Sequence, residues 1–443
     1  MDFFIQKLDS LGNFEWVKSM GGSSYDILNA LTLDENNTIY ATGMFAGQVD
    51  FDPNAPVQNM MSNGSWDSFI VKMDEDGNYI WAKNLGGSEF DYPQTITLDA
   101  DGNVYSAGLF TGTADFNPSA SATFNLTSTS TVSDIYVSKL DSFGNFEWAK
   151  QIGGSGGEIP KELAVAPDGS LCLVGYYENT VDFDPSVGSY YLTSNGGFDI
   201  YIQKVDSSGN FIWAKSIGGT SGDIANSIVI DVFNMIYIKG YFFNTVDFNP
   251  SVTINELTAS VGGNGFLLKL NSNGEFEWVK NLNTSPADDK ENTMAINSTG
   301  VILTGQFFGT IDFDPNSGTT NVTSSGGKDV YIQKINILGN LEWVKSIGSI
   351  YEEESSAITT NNSGEIFITG SFVQTLDFDP NSGISNVTAQ SRDNFLLKRP
   401  LTNESFQLET LLFCSILMNA FSTASLYEIG CTSRTLLILL GFP

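Results

Sequence analysis

The chain has 443 residues and carries 51 Asp and Glu against 20 Lys and Arg, a formal net charge of −31. So one-sided a charge excludes a protein that grips nucleic acid through rows of phosphate contacts, and it disfavours an anionic membrane surface. Histidine is absent, which removes the usual zinc ligand, the commonest general base and every Ser-His or Cys-His dyad.

The first phrase, Asp2–Lys7 (D-F-F-I-Q-K), has no basic n-region followed by an apolar stretch, so it is not a secretory signal. It reads as a chain entered in mid-repeat. Gly12–Lys18 follows as G-N-F-E-W-V-K, and its tryptophan returns at Trp81, Trp148, Trp213, Trp278 and Trp343, in steps of 65, 67, 65, 65 and 65 residues from Trp16. A period that regular means one supersecondary unit copied along the chain.

The unit is clearest between Asp91 and Gly154. Thr95–Asp99 (T-I-T-L-D) alternates and runs through the turn signal D-A-D-G-N into Asn103–Phe110 (N-V-Y-S-A-G-L-F), predicting a tight hairpin. A longer loop carries Thr113–Pro118 (T-A-D-F-N-P). Asp134–Asp141 and Phe146–Gly154 then predict a second hairpin around D-S-F-G-N. Four antiparallel strands are the content of one propeller blade, and no 3.6-residue apolar period competes with them. The expected fold is all-β: a β-propeller of six four-stranded antiparallel blades with ~65-residue repeats, seven blades being the alternative.

Recurring residues are expected to hold the blades. Gly43, Gly108, Gly175, Gly240, Gly305 and Gly370 each stand two residues before an aromatic (Phe45, Phe110, Tyr177, Phe242, Phe307, Phe372). Such a strand glycine marks a bulge or a close backbone approach, and the aromatic is expected to pack between blades. Thirteen lysines occupy two fixed positions, seven from Lys7 to Lys398 and six from Lys18 to Lys345, which leaves few cations to cluster elsewhere. Each tryptophan is expected to lie against a lysine stem from the adjacent strand. Cys172, in an L-C-L strand, reads as a small buried hydrophobe, and three cysteines make no disulfide framework.

The combined phrase D-x-[FY]-[IV]-x-K-[LVM]-D-x-x-G-N, then W-[AV]-K-x-[IL]-G-G-S, then a D-x-x-G-N-x-Y-x-x-G hairpin and D-F, resembles the SBBP family. Those β-propeller-related repeats occur in secreted and surface-associated bacterial proteins. Asp199–Pro250 shows most of it: D-I-Y-I-Q-K-V-D-S-S-G-N, W-A-K-S-I-G-G-T-S-G-D, I-Y-I-K-G-Y-F and V-D-F-N-P. The resemblance covers about residues 2–398 and implies seven blades. The units here are longer, carrying an added stretch such as Asp312–Gly327, expected to form a loop or small hairpin on one face. Six inner and six outer hairpins are countable, with a spare strand at Asp393–Lys398. The outer hairpin Asp2–Gly21 joining the inner hairpin Ser356–Phe372 would close a six-bladed ring.

The phrase D-F-[DN]-P supplies the candidate metal ligands: Asp50, Asp52, Asp115, Asp182, Asp184, Asp247, Asp312, Asp314, Asp377 and Asp379. On a common rim these carboxylates could attract Ca²⁺. The competing account, which the residues favour, is that each Asp caps its own turn; Asn117 and Asn249 replace the second acid without disturbing a turn. The D-x-D-G-N strings at Asp74–Asn78 and Asp99–Asn103 lack the later glutamate of a Ca²⁺ loop and read as hairpin turns. The acid after each Gly-Gly (Asp26, Asp91, Glu158, Asp223, Asp288, Glu353) fits turn capping or an inter-blade bond as well as catalysis. No catalytic or cofactor-binding residue stands out. Asn281–Gly300 departs most from the repeat and is the place to seek a specialised loop.

Beyond Lys398 the period stops, and Leu408 stands where a tryptophan is due. The organisation expected is therefore a propeller domain over residues 1–398, truncated at its start, and an aberrant Leu-rich tail over 399–443, helical across Phe406–Phe421 or frame-shifted. The function expected is a non-catalytic, monomeric binding or display scaffold for a protein or carbohydrate ligand, secreted or on a bacterial surface, with no nucleic acid and no membrane insertion. A carboxylate-using propeller enzyme acting on polysaccharide is the alternative.

Overall fold

In this computed structural model the described residues are 2–399, except 11, 55–56, 130–132, 187, 252, 286–292, 362–363 and 380–382, together with the strands Leu411–Cys414 and Leu437–Leu440. All regular structure among them is β-strand. The first blade is Ile27–Leu33, Ile39–Phe45, Asp67–Met73 and Tyr79–Gly87, each strand antiparallel to its neighbour. The same order repeats from Asp91, Glu158, Ile224, Thr293 and Glu354, giving six four-stranded blades. The hairpin Phe3–Leu8 with Phe14–Gly22 forms its own sheet, with Leu437–Leu440 alongside Phe3–Leu8 in parallel.

That seventh sheet decides between the two closures. The last inner hairpin does not recruit the N-terminal one: Ile366–Asp377 pairs with Asn386–Arg399, which pairs with Leu411–Cys414. The ring is therefore seven-bladed, with six repeat tryptophans. Leu411–Cys414 also corrects the expected helix over Phe406–Phe421 for those four residues, because an exposed strand edge offers the backbone a ladder a lone helix cannot match. The rest of that stretch lies outside the described residues.

The joints between blades explain the repeated phrase. Lys139 Nζ donates to the Ser207 carbonyl at 3.4 Å, in the outer turn of the next blade, and Trp148 Nε1 donates to the same carbonyl at 3.2 Å. Lys204 with Trp213 on Ser272, and Lys269 with Trp278 on Ile337, repeat the clasp. Lys398 reaches Ser10 at 3.2 Å, so the sixth blade holds the seventh by the same bond and the ring closes. The outer-turn glycines Gly77, Gly144, Gly209, Gly274 and Gly339 lie on the preceding tryptophan: a Cβ on Gly209 would sit 3.2 Å from Trp148 Cδ2, and its φ is +74°. The lysine over the indole comes from the tryptophan's own strand, Lys83 at 5.8 Å from the Trp81 ring, since alternate strand residues share a face. The cross-strand lysine instead covers a tyrosine, as Lys72 does Tyr40 at 4.7 Å.

Gly43, Gly108, Gly175, Gly240 and Gly370 are each both a bulge and a close approach. Opposite Gly43 the register shifts between Leu28 and Ala30, and a Cβ there would lie 2.0 Å from the Ile27 carbonyl oxygen. The aromatics pack at the junctions as expected. Tyr177, Phe183 and Tyr201 pack with Ile135, Val137 and Ile152 of the preceding blade, Phe183 lying 4.9 Å from the Tyr201 ring. Each such ring removed from water contributes ~1.5–3 kcal/mol.

The added stretch forms the expected small hairpin, as Thr310–Asp312 does with Asn321–Thr323. It is a short hairpin wedged between blades: Thr180–Asp182 pairs with Tyr191–Thr193, and Val181 and Asp182 also pair with Gly154 and Gly153 of the preceding blade. Paired threonine hydroxyls pin it, Thr180 to Thr193 at 2.8 Å. Among the described residues no helix is long and apolar enough to cross a membrane.

Candidate binding cleft and acidic junctions

The D-F-[DN]-P acids occupy the tips of the wedge hairpins, one phrase to each of the first six blades. Asp50 Oδ1 accepts the backbone N–H of Asp52 at 3.1 Å and of Gln58 at 2.8 Å. Asp115, Asp182, Asp247, Asp312 and Asp377 repeat this double bond to the residue two on and to the returning strand. The second acids cap the next turn: Asp52 accepts Asn54 N–H, Asp184 accepts Ser186 N–H and Asp314 accepts Asn316 N–H, a task Asn117 does equally well for Ser119. Asp379 donates its own N–H to Asp377. The fold distributes these carboxylates around the ring rather than gathering them. Among the described residues no three His, Cys, Asp or Glu side chains form a group that could hold a metal ion.

The D-x-x-G-N strings are hairpin turns. Asp74 Oδ1 accepts N–H groups of Asp76 and Asn78, and the Asn78 side chain donates to Oδ2. These bonds hold Asp74 below the usual carboxylate range against its partial burial. Cys172 is fully buried, and burial pushes its thiol up to about 12, so it is chemically inert.

The acids after Gly-Gly cap the crossing between blades. Asp91 accepts the Gly87 N–H at 2.7 Å and Asp223 the Gly219 N–H at 2.7 Å. Each meets the acid that opens the third strand of the preceding blade, and burial drives the values upward: Asp91 to about 7, Asp199 and Asp223 to about 6. Glu158 rises to about 9, through burial first and then the Asp134 charge beside it. Asp288 lies outside the described residues, with the rest of 286–292; the described remainder of Asn281–Gly300 includes the strand Thr293–Asn297.

One feature escaped the repeat reading. A cleft of about 640 Å³ opens between the fifth and sixth blades, lined by Phe308, Lys328, Ile350, Tyr351, Glu352 and Arg392, with Gly326, Gly327 and Val373. Lys328 and Arg392 occupy the same repeat position, directly before Asp329 and Asp393. Trp66, Ser133, Phe198 and Gly263 fill it elsewhere. Two of the seven cations outside the two fixed lysine positions thus meet on one cleft. Arg392 Nη1 is oriented by Glu354 at 2.6 Å and by Ser371 Oγ at 3.0 Å. Phe308, Ile350 and Tyr351 are exposed large side chains on the same cleft. Aligning the six copies one residue before the third-strand acid would have exposed this departure.

No protein-family model matches the chain. It is 23 % identical over 433 residues to an uncharacterized WD repeat-containing protein, L264, of Acanthamoeba polyphaga mimivirus, covering 81 % of this chain and 31 % of that protein. It is also 23 % identical over 236 residues to the regulatory protein FlaEY of Caulobacter vibrioides, covering 52 % of this chain and 23 % of that one. The chain thus spans under a third of either relative. Among solved structures, a protein of unknown function from Bacteroides caccae overlaps at a TM-score of 0.34 with 7 % identity, over 69 % of this chain and 80 % of that one. A glucose dehydrogenase overlaps at 0.35 with 9 % identity, over 78 % and 96 %. Overlaps this loose assign no activity. With the sheet topology, the WD-repeat relative supports a propeller repeat protein.

Proposed function

We propose that this chain is a non-catalytic binding scaffold of the SBBP repeat type, carried by a secreted or surface-exposed bacterial protein. Its ligand is a protein or carbohydrate surface seated on the cleft between the fifth and sixth blades. The observation that carries this reading is the convergence of Lys328, Arg392, Tyr351 and Phe308 on that cleft, the first three at positions other blades fill differently. Residues common to all blades are engaged in clasps, caps and packing, which leaves recognition to the departures. Exposed aromatics give contact area with little entropy loss, and the flanking charges orient a polar ligand. The raised-pKa acids that a glycoside hydrolase would need are sealed in the junctions, Glu158 at 1 % exposure, where no substrate reaches.

The test is a glycan and peptide array probed with the wild-type protein and the Lys328→Ala/Tyr351→Ala double variant, alongside a reducing-end assay on the bound glycans. The expected result is a loss of about tenfold or more in affinity, ~1.4 kcal/mol, with no reducing ends released. Release of reducing ends, or binding indifferent to the variant, would overturn the reading.

A further inference from the structure

The acids that cap the blade crossings also form buried pairs, which capping alone does not require. Asp67 and Asp91, Asp134 and Glu158, Asp199 and Asp223, Asp329 and Glu353 are all buried, each pair joining one blade to the next. The backbone sets them side by side: Asp91 N–H donates to the Trp66 carbonyl at 2.8 Å, Asp223 N–H to Phe198 at 2.6 Å, and Glu353 N–H to Lys328 at 2.9 Å. Glycine makes the room. A Cβ on Gly86 would lie 2.7 Å from Asp91 Oδ2 and 2.8 Å from Asp67 Cγ, so no other residue fits between the carboxylates.

At the first two pairs the donors do not suffice for two carboxylates, whereas at the fourth Ser325 and Ser349 donate to every carboxylate oxygen. Asp67 Oδ2 accepts Asn63 N–H at 2.8 Å and Asn84 Nδ2 at 2.7 Å, yet Asp67 Oδ1 and Asp91 Oδ1 have no hydrogen-bond donor among the described residues. Both oxygens of Glu158 lack one as well, while Asp134 Oδ2 is served by Thr129 N–H and Gln151 Nε2. Two ionised carboxylates cannot share a buried site, so one needs a proton. The charged and titratable groups that face the first two pairs do not relieve this. They are Glu89 and Tyr136 at the first pair and Tyr201 at the second; Tyr177 faces the third and Arg392 the fourth. Arg392 alone is a cation. The fourth blade offers an internal control, for Asn264 stands where its neighbours have Asp, and its Nδ2 donates to Asn281 Oδ1 at 2.8 Å. An amide is the shape of a protonated carboxyl with its donor built in.

We infer that the Asp67–Asp91 and Asp134–Glu158 junctions are proton-binding sites, each pair holding one proton between its carboxylates, so that closure of the ring takes up protons and rising pH loosens it. The sign follows from the folded state's greater hold on the proton. For Glu158 the contribution is complete below 4.5 and is lost as pH rises through about 9; for Asp91 it runs from 3.8 to about 7. The protein is then most resistant to unfolding in mild acid.

Urea unfolding of the full chain across mildly acidic to mildly alkaline buffers reads the proton difference from the slope of stability against pH. Wild-type stability should fall with pH, and Glu158→Gln should lower the slope by about one proton near neutrality. Asp134→Asn, which copies Asn264, should do the same by removing the like charge. Infrared spectra need no variant: the folded wild type at neutral pH should show the C=O stretch of protonated carboxyl, lost on unfolding. A flat or rising stability profile, an absent band, or Ca²⁺ restoring alkaline stability to the wild type but not to Asp134→Asn would overturn the inference. The last outcome would make the pairs cation sites.

Discussion

Replacing Asp182 separates a turn cap from a metal ligand. In the structure its Oδ1 accepts Asp184 N–H at 3.1 Å and Tyr190 N–H at 2.7 Å, holding the tip of a wedge hairpin that fills the joint between the second and third blades. Asp182→Ala removes both bonds from a half-buried site. At ~0.5–1.5 kcal/mol net for each, the loss is ~1–3 kcal/mol. Unfolding entropy of about 2.1 cal/mol/K per residue turns each kcal/mol into a shift of roughly 1 °C for a chain this long. Calorimetry should therefore place the variant ~1–3 °C below wild type. Asp182→Asn keeps an Oδ1 acceptor and should cost under ~1 kcal/mol. Neither value should depend on Ca²⁺. A bound ion at a hundred times its Kd would instead add ~2.7 kcal/mol to the wild type. Equal damage from Ala and Asn, appearing only with Ca²⁺ present, would refute the turn reading.

Two further substitutions probe the joints. Phe183→Ala empties a site at 0 % exposure between Tyr177 and Tyr201, and should cost ~3–5 kcal/mol in urea unfolding. Gly154→Ala puts a Cβ 2.3 Å from the Thr180 carbonyl oxygen and should cost ~1–3 kcal/mol by forcing the wedge hairpin away, whereas Gly157→Ala, with nothing within 4 Å, should fall within ~0.5 kcal/mol.

Much of the blade was legible because its signals are local. Asp99–Asn103 carries its turn in its own side chains, and Gly108 its bulge in its missing Cβ. The cleft was not legible, since Lys328 and Arg392 are 64 residues apart and only the ring makes them neighbours. The divergent Asn281–Gly300 loop drew attention in sequence because its composition changes, whereas a single basic residue before a third strand does not alter any pattern.

By itself the sequence determined the repeat, the four-strand unit, the turn role of the D-F-[DN]-P acids and the packing of the strand aromatics, all of which follow from side-chain period and turn chemistry within some sixty residues. The tertiary structure decided what depends on distant partners. It set the blade number at seven, through Leu411–Cys414 completing the sixth sheet and Lys398 reaching Ser10. It also buried the acids in pairs, because Asp134 and Glu158 become one electrostatic site only when two blades close on them.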